Sequence, residues 1–458
     1  MEDFMQAAIE RMRDQGAHFC DARRQRIGFL RIIVVDGSVR TLSRDTLGGL
    51  CLRARAGGSW GYASCSTLEK KEVLAAADKA AVNARVGTAK GVRIPERKAV
   101  QVDFKPKIQK HPDQVPLEEK LSLVVDLDKA QRSDERIVNS NAMYLEQVKD
   151  SLVMDSYGSS IKWQEVRGRL MAQSVSSDGQ RMEAFYKMVD GTGGYGQFQG
   201  TDVGTMGRSC AEEAIKMLKA KKCPSGYHTC ITDPLISGLL AHEVMGHASE
   251  GDEIVKKRSF LSEVVGKQVA SELVTMVDDG TVPGAYGSIP FDDEGTPSSR
   301  TTMIDHGVYK GYMHSLETAA EMGVPPTGNG RAESTSRRVF VRMTNTYFEA
   351  GDWKLEEMIE GVKFGVLTDR AISGMEDPVG GGFEAQVLRG FLIENGRITD
   401  MLKGFAVTGK ALEILKTTDA VGKEVSLDGG TCGKGIEDFV PVSSGGPHCR
   451  SKAILGGG

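Results

Sequence analysis

His242 and His247 flank Glu243 in the stretch Ala241-His242-Glu243-Val244-Met245-Gly246-His247. Two imidazoles and a carboxylate at short range are residue types that hold a transition metal and move protons beside it. The familiar zinc-hydrolase pattern H-E-x-x-H sets its histidines four residues apart. Here the separation is five residues. At about 100° per residue, partners four apart lie roughly 40° apart around a helix, and partners five apart about 140°. A straight helix therefore points the two rings away from each other. Gly246 tolerates backbone angles that end or distort a helix. The spacing thus predicts a break or bulge near Gly246 that swings His247 back toward His242.

Hydrolysis of a peptide bond needs a nucleophile near neutral pH, a polarised carbonyl and a proton for the leaving amine. A catalytic zinc with three protein ligands and one open position lowers the pKa of water to about 7 and acts as a Lewis acid. Glu243 projects from the same turn as His242 and is not needed as a ligand, so it takes the role of general base. Spacing leaves the third ligand open among Glu250, Asp252, Glu253, His314 and Cys432. Cys432 has glycine neighbours in Gly429-Gly430-Thr431-Cys432-Gly433-Lys434-Gly435, which let backbone come close to a metal. Lys434 is placed to favour the thiolate that metal binding requires. Cys223, His228 and Cys230 match no common zinc spacing and read as structural.

A helix must deliver the histidines. Asp233 can cap it, Pro234 suits its first position, and Leu235, Ile236, Leu239 and Leu240 recur at helical spacing. Upstream, Phe4, Met5, Ala8, Ile9 and Met12 mark an amphipathic helix. Two hairpins follow: Phe29 to Val35 with Val39 to Leu42, and Leu50 to Ala56 with Trp60 to Ser64. A helix opened by Ser66 then runs to about Arg85, and another spans Leu117 to about Ala130. Residues 137–189 read as an antiparallel meander, and a helix from about Gly207 to Lys222 closes this part. The pattern is α+β: N-terminal helices with antiparallel sheets, then a mostly β C-terminal metal-binding domain. The expected divisions are 1–96, 97–224 and 225–458.

At 458 residues, with 40% hydrophobic and 26% charged side chains, the composition is that of an ordinary globular chain. A formal charge of −4 gives no basis for a nucleic-acid or acidic-membrane surface. No apolar run is long enough to span a bilayer, and no secretory signal is visible. The eight cysteines show no disulfide-scaffold spacing, which favours a cytoplasmic location.

Several motifs occur together in order. They are Gly16-Ala17 before Cys20-Asp21-Ala22-Arg23, then Ser59-Trp60-Gly61-Tyr62-Ala63, then His242-Glu243-x-x-x-His247 with Glu250-Gly251-Asp252. Beyond these come Phe291-Asp292-Asp293-Glu294-Gly295, Thr327-Gly328-Asn329-Gly330-Arg331, Arg342-Met343-Thr344-Asn345-Thr346 and Thr431-Cys432-Gly433-Lys434. In these the chain resembles, essentially end to end, the TldD branch of the TldD/PmbA family. Its members are zinc metallopeptidases also described as modulators of DNA gyrase. The related TldE or PmbA type lacks the two histidines and the glutamate. The resemblance implies zinc on His242, His247 and Cys432 with Glu243 as general base. It also implies assembly with a TldE/PmbA-like subunit or a second copy, and a chamber that admits short, unfolded or flexible peptides. His314 and Arg331 are candidates for holding the oxyanion or the peptide backbone, weighed against roles as structural hydrogen-bond donors. Cys223, His228, Cys230, His448 and Cys449 lie outside the motifs. The competing reading is a non-catalytic zinc-containing regulator of a DNA-processing partner.

Overall fold

Residues 1–87, 92–434 and 437–456 are described by a computed structural model. Gly435 of the cysteine-bearing run and the last two glycines of the chain fall outside the described residues.

The N-terminal region contains α1 (Glu2–Asp14), β1 (Phe19–Val35), β2 (Ser38–Ala56), β3 (Ser59–Cys65), α2 (Lys70–Val86), β4 (Gln101–Phe104), α3 (Leu117–Gln131), β5 (Ile137–Asp155), β6 (Ser160–Ser177), β7 (Met182–Gly191) and α4 (Val203–Met217). Its strands form a single sheet in the order β3-β2-β1-β5-β6-β4, with β7 also on β6. β1 and β5 are long, 17 and 19 residues. One part of their length therefore packs against α1 and α2 through Met5, Ile9, Leu52, Ala77 and Leu152. Another part packs against α3 and α4 through Ile32, Leu127, Tyr144 and Cys210. Small residues set the first contact: a Cβ on Gly61 would lie 2.0 Å from the Ala80 carbonyl, so the alanine-rich α2 rests directly on β3.

Some boundaries differ from the sequence reading. The segments at 39–42 and 50–56 are one continuous strand, β2, whose Gly48-Gly49 pair continues the β1 ladder instead of ending it. Gly49 makes room for Thr335, whose Oγ1 would sit 2.7 Å from an added Cβ. α2 begins at Lys70 behind Glu69 rather than behind Ser66. α4 begins at Val203, because the Asp202 carboxylate accepts from the Thr205 N–H.

The C-terminal region contains β8 (Gly226–Thr232), α5 (Pro234–Leu239), α6 (Gly251–Val255), β9 (Met276–Asp279), β10 (Arg300–Asp305), β11 (Val308–Tyr309), α7 (Leu316–Met322), β12 (Gly330–Arg331), β13 (Phe340–Val341), β14 (Asn345–Phe348), α8 (Leu355–Glu360), β15 (Phe364–Asp377), β16 (Gly382–Glu394), β17 (Arg397–Lys410), α9 (Ala411–Lys416), β18 (Ala420–Val421), β19 (Ser426–Lys434), β20 (Glu437–Gly446) and β21 (Cys449–Gly456). One sheet runs β11-β10-β9-β14-β20-β19. Another runs β17-β16-β15-β8-β21-β18, and an added β17–β21 pairing closes five of its strands into a ring. Strands dominate this α+β fold. α5 and its continuation pack against β15 and β16 of the ring and β14 and β20 of the other sheet. Gly238 permits the contact, since a Cβ there would meet the Gly445 nitrogen at 2.2 Å. Among the described residues, no helix is long and apolar enough to cross a membrane.

Candidate metal centre

Asp233 and Pro234 open the key helix as the sequence implies. The Asp233 carboxylate accepts from the Leu235 N–H and from Thr368 Oγ1 at 2.6 Å. From Leu240 to Gly246 the helix widens into a π-helix. The His247 N–H donates to the His242 carbonyl, so residues five apart become neighbours on one face. The two ring centroids lie 5.3 Å apart with planes 84° to each other. The distortion expected near Gly246 is this π segment. Gly246 contributes through space rather than through an unusual φ: a Cβ would sit 2.1 Å from Met343 Sδ.

Cys432 arrives on β19, an edge strand that among the described residues pairs only with β20. Its Sγ is 3.3 Å from His247 Nε2. One donor atom from each of His242, His247 and Cys432 lies within 4.8 Å of the others, and all three residues are buried. Burial alone would raise the Cys432 pKa, but His242 and then His247 outweigh it and hold the thiol well below its ordinary value. Arg342 adds a further cation, with Nη2 at 3.0 Å from Sγ. Lys434 does not act on the thiol as the sequence reading supposed. Its ammonium is held instead by Glu250 at 2.7 Å and Asp252 at 2.8 Å.

Of the other candidate ligands, Glu250 faces the opposite nitrogen of His247, with Oε1 3.4 Å from Nδ1. This contact orients the ring for Nε2 to face the sulfur. Asp252 and Glu253 belong to the Lys434 cluster. His314 is buried beside Thr318, and Arg331 donates to the Met343 carbonyl. Neither His314 nor Arg331 borders the histidine cleft. Cys230 and Cys449 pack in the core, Cys223 is buried, and His228 meets Phe364 edge-on. His448 likewise lies away from the cleft.

Glu243 lies on the open side, with Oε2 3.8 Å from His247 Nε2. β15 crosses over it so closely that a Cβ on Gly374 would approach Glu243 Cγ to 2.7 Å. The same strand brings Glu376, which forms a second cluster with Glu243 and His247. Nothing in the spacing of Glu376 marks it, because only the fold of β15 over the helix brings it there. These groups border a cleft of about 630 Å3, with Ile372, Tyr186 and Gly430 also on its walls. In this part of β15 the pairing is with β16 alone, and β8 reaches only Gly365–Leu367. The cleft thus runs between two strand edges, from β15 and β19.

Soft sulfur with two imidazole nitrogens is a donor set suited to a zinc-like transition metal. Nδ1 of His242 is buried without a hydrogen-bond partner, a cost that an added partner would relieve. The residues present therefore fit a metal.

Sequence profiles of the PmbA/TldA metallopeptidase domains match this chain three times. Domain 1 matches residues 20–84, the central domain 110–218 and the C-terminal domain 225–457. A metalloprotease of Methanocaldococcus jannaschii is 33% identical over 93% of this chain and 94% of its own length. A protein of Saccharolobus solfataricus named zinc metalloprotease TldD homolog is 30% identical over 56% of this chain and 57% of its own. TldE from Thermococcus kodakarensis shares the fold, with TM-score 0.78 at 19% identity over 99% of this chain and 100% of that one. With its candidate metal ligands gathered on one cleft and 93% of its length matched to a metalloprotease, the chain belongs to the PmbA/TldD family of metallopeptidases.

Proposed function

We propose that this chain is a zinc-dependent peptidase acting on short, unfolded or flexible peptides. The observation that carries the reading is the convergence of His242, His247 and Cys432 beside Glu243 on the wall of one cleft. His242, His247 and Cys432 would hold the zinc. When bound there, zinc supplies a Lewis acid and a lowered pKa for water.

The chain's own residues do the rest. Glu243 accepts the proton of the attacking water and returns it to the leaving amine. Glu250 and Arg342 keep His247 and Cys432 in place. The edges of β15 and β19 offer backbone N–H and C=O groups to an extended chain, which a folded domain could not present there. A TldE-like subunit, or a second copy, would complete the enclosure. The fold shared with TldE supports that pairing.

The test is Glu243→Gln. It is expected to lower kcat on an unstructured peptide by about 10²–10⁴-fold while metal content, measured by mass spectrometry, stays at one zinc per chain. Wild-type turnover in that variant would sink the assignment.

A further inference from the structure

A second cavity, of about 560 Å3, opens on the other side of β19. Its walls come from β1, β5 and β6 on one side and from β12, β19 and β20 on the other. Thr431 borders both this cavity and the histidine cleft, so the two meet at β19.

Arg331 is the unusual group in its wall. The side chain is only 4% exposed. Nη1 donates to the Met343 carbonyl at 2.6 Å, and no carboxylate pairs with the guanidinium among the described residues. The other buried cations here are already matched. Lys149 pairs with Asp293 at 3.0 Å, and Arg167 with Glu165 at 2.6 Å. Burial, and then the nearby Arg167, lower the Arg331 pKa to about 10, with Glu165 and Asp293 working against them. A buried charge whose acidic neighbours, Glu165 and Asp293, are already paired to other cations is costly, and a guanidinium fork matches a carboxylate in two parallel hydrogen bonds. Arg31, exposed at the rim of the same cavity, adds to the attraction.

We propose that Arg331 anchors the C-terminal carboxylate of a peptide whose extended chain runs along β19 past Thr431. The inference rests on the peptidase reading above. Because Thr431 is the immediate neighbour of Cys432, the anchored end lies only a short way from the cleavage site. The site therefore favours release of short C-terminal fragments.

The test is calorimetric binding of one unstructured peptide, as free acid and as C-terminal amide, to the full chain carrying Glu243→Gln. The acid should bind about ten- to hundredfold more tightly. Arg331→Gln should bring the ratio to near one, and Arg331→Lys should keep part of it. If Arg331→Gln loses its cooperative melting, Arg331→Lys and the exposed Arg31→Ala carry the test through a reduced ratio. Equal affinities in the parent, or a preference that survives in the Arg331 variants, overturn the anchor. So does displacement of both peptides alike by inorganic phosphate, which would assign the cavity to a free anion. An acid preference lost with Arg331, alongside a wild-type chain that cleaves nothing, keeps the anchor and removes the peptidase reading. Cleavage with no acid preference does the reverse.

Discussion

His247 has a carboxylate on each side, and the two are built for opposite purposes. Glu243 stands in the cleft, partly exposed, with Glu376 nearby and room beside it. Glu250 is fully enclosed, gripped by Lys434 at 2.7 Å and close to Arg342 at 3.6 Å. Burial would raise the Glu250 pKa, but Lys434 and then His247 hold it well below the usual carboxylate range. A fixed buried anion positions a ring, whereas an anion facing an open cleft can exchange protons with what enters. The same residue type is thus enclosed and paired, or left facing the cleft, by its surroundings.

The contrast can be broken from either side. Glu243→Gln is the largest expected effect on rate, about 10²–10⁴-fold, with the melting temperature unchanged. Lys434→Met should act on stability instead. It strands the Glu250 and Asp252 carboxylates, and loss of one partner of a buried pair costs about 3–5 kcal/mol. Urea unfolding would measure it, and a fall in activity without a fall in stability would contradict the division.

Gly246→Ala tests the π segment between the two regions. Its methyl would press on Met343 Sδ, and overpacking of this kind costs about 1–3 kcal/mol. Met343→Ala in the same chain should recover part of that loss, which thermal unfolding can follow.

The smallest effect at neutral pH concerns His314, which lies against Gly251 at the base of the enclosed side. Burial lowers its pKa to about 4. The unfolded chain therefore binds a proton at higher pH than the folded one does. Its contribution to stability is complete above about pH 6.5 and is lost as pH falls toward 4. In metal-free protein, His314→Gln should flatten the stability curve in that window by up to about 1.4 kcal/mol per pH unit.

Much of the candidate site is legible in the sequence alone. The cap at Asp233, the apolar face of the helix and the need for a distortion between His242 and His247 follow from local chemistry and helical geometry. These depend on neighbours within a turn or two, so residue order is enough. Cys432 was one of several acceptable ligands by chemistry, and only the family resemblance singled it out. The continuity of β2 through Gly48-Gly49 is not legible in the sequence, because a glycine pair interrupts the strand pattern unless the strand beside it is known.

Glu376, the grip of Arg342 on the Cys432 sulfur, and the pairing of Lys434 with Glu250 and Asp252 could not be read from the chain. Each joins segments far apart in the chain whose closeness only the packed fold creates, as where β15 folds over the helix. The sequence by itself determined which side chains could bind a metal and that their helix must bend. Tertiary structure decided which carboxylate is locked away and which is left free, because burial and counter-charge belong to the packed molecule and not to any segment of it.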